Sequence, residues 1–92
     1  MKIYIAGPMS GYPDLNRPAF NDMEDHYTGL GHEIFNPTKH EWPTYRQNLH
    51  IDLDWICDQA EGIVMLNGWE KSPGARAEHT VAVALGLQIF YE

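Results

Sequence analysis

Cationic side chains are scarce in this chain. Six Lys and Arg stand against 13 Asp and Glu, for a formal net charge of -7. A nucleic-acid polymer or an anionic membrane surface is attracted by clustered Lys and Arg, so neither is an expected partner. Any anionic ligand would have to be held by a few local groups. Cysteine is almost absent as well: Cys57 stands alone and has no intramolecular disulfide partner. Its place among helically spaced apolar residues suits a small buried hydrophobe in a reducing compartment. Long apolar runs are missing. The opening "MKIYIAGPMSG" meets Gly and Pro after a few apolar residues, short of a signal peptide's apolar region or a membrane span, and the expectation is a cytoplasmic protein.

The five histidines, His26, His32, His40, His50 and His79, show no H-x-x-x-H or H-E-x-x-H spacing, so no metal is expected. The glycine-bearing loop "GPMSG" fits neither G-x-G-x-x-G nor G-x-x-x-x-G-K-[ST], which sets aside dinucleotide and P-loop chemistry. No cofactor is expected.

What is present is the apolar content of a folded domain. Hydrophobic residues make up 43% of the chain, enough to offset ordering entropy, and 92 residues allow one core rather than two. A single domain over residues 1–92 is therefore expected. "KIYIA" (2–6) and "GIVML" (62–66) read as short strands covered on both faces. "HEIFNP" (32–37) and "LQIFY" (87–91) supply two more.

Between the strands lie three helical patterns. Phe20, Met23, Tyr27 and Leu30 form one stripe, with Asn16 as its cap and Pro18 in its first turn. Leu49, Leu53, Ile56, Cys57 and Ala60 mark a second helix over about 44–59, with Ile51 and Trp55 beside the stripe as core edge or as a self-association patch. Ser72-Pro73 opens a third that runs to Leu85 and is closed by Gly86. Strand and helix in alternation predict a three-layer flavodoxin-like or Rossmann-like α/β domain, its four-stranded parallel sheet ordered 2-1-3-4 with helices on both faces. Ligands of such sheets sit beyond the carboxyl ends of the strands at the switch point. That rule brings "GPMSG" and "NGWEKSPGA" together.

Several residues in those loops are candidate site groups. Glu78 shares a stripe with Gly74, Val81, Ala82 and Leu85, which turns a carboxylate toward the sheet. Desolvation would raise its pKa, while the helix N-terminus and nearby hydroxyls oppose the shift. Ser72 and Gly74 offer a helix N-terminus open to an anion or a sugar hydroxyl, although capping explains Ser72 equally well. Gly7, Pro8, Met9 and Ser10 allow close approach after the first strand. Arg17, Lys71 and Arg76 fall at the ligand side and are candidates for a phosphate. Trp69 is read as a stacking surface for a base, with a plug of the core as the alternative. Asp52 and Asp54 are assigned to the surface or to the edge of the second helix, with one of them reaching the crevice as the alternative.

"IYIAGPMSG", "Asn-Arg-Pro-Ala-Phe", the Asn-Pro after the second strand and "LNGWEKSPGARAEHTVAVALG" together resemble the small phage and bacterial domain of unknown function related to nucleoside 2-deoxyribosyltransferases. The resemblance covers nearly the whole chain. It implies cleavage or transfer at the N-glycosidic bond of a deoxynucleoside or its 5-monophosphate, in a homo-oligomer within a bacterial or phage-infected cytoplasm. It further implies that Glu78 attacks C1 of the sugar, that Tyr4 orients Glu78, and that Ser72 and Gly74 meet sugar hydroxyl or phosphate. Where the transferases carry an aspartate that helps the base, this sequence has Asn67, which can hydrogen-bond a base but cannot donate a proton as an acid does. A catalytically silent nucleotide-binding module, or a homo-oligomeric interaction module, is the alternative reading.

Overall fold

The computed structural model describes residues 1–92. Four parallel strands, β1 (Lys2–Ala6), β2 (Glu33–Phe35), β3 (Gly62–Met65) and β4 (Gln88–Tyr91), lie in the order β2-β1-β3-β4. The predicted order 2-1-3-4 is the observed one. Tyr4 pairs with Phe35 on one side and Ile63 on the other, and Ile63 pairs in turn with Ile89. The crossovers are carried by α1 (Arg17–Gly29), α2 (Tyr45–Asp58) and α3 (Pro73–Leu85).

The pleat divides the core between two layers. Ile3, Ile5, Val64 and Leu66 point to the α1 side, where they meet Phe20, Met23 and Tyr27. Tyr4, Ala6, Ile63 and Met65 point the other way, onto Ile56 of α2 and Ala75 and Ala82 of α3. Burying each of the larger side chains stabilises the fold by about 1.5–3 kcal/mol. Because both faces are covered, β1 and β3 read as unbroken apolar runs. The sheet therefore aims a tyrosine, Tyr4, into the layer shared by α2 and α3.

Local chemistry sets the helix starts. Thr44 and Gln47 form a reciprocal capping box at α2, and Ser72 accepts from the Ala75 N–H at 3.2 Å with Pro73 in the first turn of α3. Gly86 closes α3 at φ 71°. Asn16 precedes α1 but does not cap it through its side chain, which instead donates to the Pro8 carbonyl at 2.9 Å and braces the loop after β1.

Two burial expectations are corrected. Cys57 is exposed, because α2 turns Asp52 and Ile56 inward and leaves Cys57 about 100° away from Ile56 around the helix. Leu85 and Leu30 are also exposed, since each lies at the end of its helix where the sheet no longer covers it. Ile51 and Trp55 are half-buried, and Trp55 packs on the core through Phe35 at 4.9 Å. No helix is long and apolar enough to cross a membrane.

Candidate functional site

A cavity of about 660 Å³ opens beyond the carboxyl end of β1, between the loop that follows it and the N-terminal halves of α2 and α3. Tyr4 and Glu78 lie in its wall. The Tyr4 hydroxyl donates to Glu78 Oε2 at 2.8 Å, across 74 residues of sequence. Tyr4 is wholly buried and Glu78 is 6% exposed. Glu78 reaches this position because α3 packs on the sheet through Ala75 and Ala82, whose small side chains let the helix come close.

Asp52 completes the group. It is buried on α2, lines the same cavity and faces the Tyr4 hydroxyl. From sequence it is placed at the surface or the helix edge with the crevice as the alternative, and the structure shows the alternative. The signal was nonetheless present: Asp52 falls three residues after Leu49 and four before Ile56, inside the apolar stripe. A carboxylate in such a stripe is the same pattern that singled out Glu78.

Burial governs the ionisation of all three. Desolvation pushes Glu78 up to about 8, with the Asp52 charge adding to the rise and the Tyr4 hydrogen bond opposing it. Desolvation likewise raises Asp52 to about 6 against the hydrogen bond to Tyr4. Tyr4 is held well above its usual range, first by burial and then by the two carboxyls, and stays protonated. The opposing pulls on Glu78 that the sequence left open thus resolve upward. With both carboxyls on one hydroxyl, the pair carries a single negative charge between these values.

The structure gathers nine of the thirteen sequence-derived candidates: Tyr4, Gly7, Pro8, Met9, Ser10, Lys71, Ser72, Gly74 and Glu78 all line the cavity. Gly7 is needed there, since a Cβ on it would lie 2.7 Å from Leu66 Cβ. Four candidates lie elsewhere. Asn67 is exposed in a separate depression with Asn16, Asp22 and Glu92, because Leu66 continues the β3 alternation inward and Asn67 is already in the turn. Trp69 meets His79 in a tilted ring contact, centroids 4.3 Å apart, and packs against the core, so its ring is taken up by α3 rather than offered to the cavity. His79 in turn meets the Tyr91 hydroxyl at 2.8 Å. Arg17 is paired with Asp14 and with Glu41. Arg76 is exposed and absent from the lining. Residues not singled out from sequence fill the rim instead, notably Tyr12, Glu41, Trp42, Tyr45 and Asn48.

Fold and site together define a parallel α/β domain with two buried carboxyl groups beside a buried tyrosine, which donates to one of them, in a cavity at the sheet's switch point. Residues 1–91 match the family described as Domain of unknown function (DUF4406), and the chain belongs to that family. No curated protein matches it.

Proposed function

We propose that this domain cleaves or transfers at the N-glycosidic bond of a deoxynucleoside or its 5-monophosphate, with Glu78 as nucleophile. One observation carries the reading: Glu78 is buried in a cavity wall, fixed by Tyr4, with a second carboxyl from α2 at the same hydroxyl. The resemblance to deoxyribosyltransferase-like proteins supports the same assignment for Glu78 and Tyr4.

Each group has a defined task. Breaking the C1–N bond sends its electron pair to the base and leaves positive charge on the sugar, which an ionised Glu78 can trap as a covalent ester at C1. Asp52 in its protonated form delivers the proton that the departing base needs. A water or a second base then attacks C1, the ester oxygen leaves with its electrons, and Asp52 recovers a proton from the attacking group. Tyr4 orients Glu78 throughout. Asp52 takes the acid role that sequence comparison sought at Asn67, so the amide at position 67 carries no weight against turnover.

The test is a chromatographic assay of the purified protein against deoxynucleosides and their monophosphates, with and without an added second base. Free base alone indicates hydrolysis, and a new nucleoside indicates transfer. Ligand-induced thermal stabilisation without either product assigns a binding module. Absence of both binding and product removes the proposal.

A further inference from the structure

We propose, on the reading above, that Glu41 makes this cavity select an uncharged nucleoside over its 5-monophosphate, so that Glu41 sets substrate specificity at the rim. The cavity wall carries three carboxyl groups, Glu41, Asp52 and Glu78, and its single Lys or Arg is Lys71. A phosphate on the sugar would enter a wall of its own charge sign, in a chain of net charge -7.

Several of the groups that ordinarily hold phosphate are occupied or missing. Arg17 is the guanidinium at the start of α1, and its fork is already closed: Nη1 lies 2.9 Å from Asp14 Oδ1 while Nη2 binds Glu41 Oε1. The same pair that takes Arg17 out of use fixes Glu41 at the rim, bridging the loop after β1 to the segment before α2. At the start of α3, Pro73 has no N–H, the Ala75 N–H is spent on Ser72 Oγ, and the Tyr45 hydroxyl stands over Gly74, 3.1 Å from where a Cβ would be. In the loop after β1, Pro8 lacks an N–H as well. What the rim does offer is aromatic and apolar: Tyr12, Leu15, Trp42 and Tyr45 line the cavity and are all at least 38% exposed. These surfaces suit the flat faces of a neutral base.

The experiment is calorimetric titration and base-release assay of the full chain with each deoxynucleoside, its 5-monophosphate and its uncharged 5-O-methyl ether. The wild type should bind the nucleoside and the ether at least about tenfold more tightly than the monophosphate, since the penalty is charge and not bulk. Glu41→Gln removes one charge and releases the Nη2 arm of Arg17 while Nη1 stays with Asp14, and should shrink the nucleoside-to-monophosphate ratio by about tenfold at low salt. Glu70→Gln, an exposed change outside the lining, should leave the ratio where it is. Glu41 is exposed on a loop, and a thermal melt checks that the variant folds. A wild type that prefers the monophosphate while releasing base overturns this proposal and leaves the glycosidic reading standing. So does a ratio that Glu41→Gln fails to move. If neither compound class binds or reacts, the glycosidic reading fails and this specificity fails with it.

Discussion

The Tyr4 hydroxyl donates to Glu78 Oε2 at 2.8 Å, and that single bond joins the first strand of the sheet to its last helix inside a solvent-poor wall. Tyr4→Phe removes the one donor that opposes the upward shift of the Glu78 pKa. The variant should therefore hold Glu78 protonated to a higher pH than about 8. It should lose about 1–3 kcal/mol of stability for the unpaired buried carboxyl. Carboxyl carbon NMR reads the first and chemical denaturation the second. A Glu78 titration unmoved by Tyr4→Phe contradicts the coupling.

Stability should fall with rising pH across the range set by the two carboxyls. Their folded-state pKa values lie above the ordinary values of 3.8 and 4.5, at about 6 for Asp52 and about 8 for Glu78. The folded state thus binds more protons than the unfolded chain, and the stabilisation present in acid is lost as pH climbs through those values. Glu78→Gln should flatten the upper part of this dependence and raise the stability at pH values above about 8, by an amount on the order of a few kcal/mol, with Tm rising accordingly. A pH-stability profile by differential scanning calorimetry checks it.

Catalysis should follow a bell-shaped pH profile. The active form has one charge on the pair, with Glu78 ionised and the proton on Asp52; between about 6 and about 8 the proton resides mainly on Glu78, so this form is the minor protonation state of the singly charged pair. Activity should therefore rise through about 6 and decline through about 8. Asp52→Asn should cost about 10²–10⁴ in kcat and abolish the alkaline limb, because the acid is gone at every pH. Retention of full activity in Asp52→Asn would show that the proton comes from elsewhere.

Gly7→Ala should destabilise the fold by about 1–3 kcal/mol, since the new Cβ would press on the buried Leu66 side chain from 2.7 Å. Gly74→Ala meets only the tip of the exposed Tyr45 ring and should cost little stability while narrowing the rim. Comparing the two melts separates a glycine needed for packing from one that shapes the cavity.

The sheet was legible because its chemistry is repetitive. Buried strands leave continuous apolar runs, and Ser72-Pro73 and Gly86 bracket α3 with a cap and a left-handed stop. Glu78 stood out because a carboxylate on a stripe of small residues has no solvent-facing explanation. Asp52 carried the same signature, but Asp54 and Asp58 nearby made it look like one charge of a solvated face; only the rotation set by Ile56 separates it from them. Asn67 and Trp69 were misplaced for a different reason. A chain position at a strand end says which loop a residue belongs to, whereas the turn at Gly68, φ 87°, decides which way its side chain leaves. The pairing of Arg17 with Glu41 joins residues 24 apart and leaves no local pattern.

The most direct test of the account is free-base release from deoxynucleosides near neutral pH by the wild type and by Glu78→Gln, measured side by side. The account predicts base release by the wild type and a loss of at least about 10³-fold in the variant, which keeps the shape of the side chain but cannot attack C1. A wild type inert against every deoxynucleoside and monophosphate, or a variant that releases base as fast as the wild type, would contradict it.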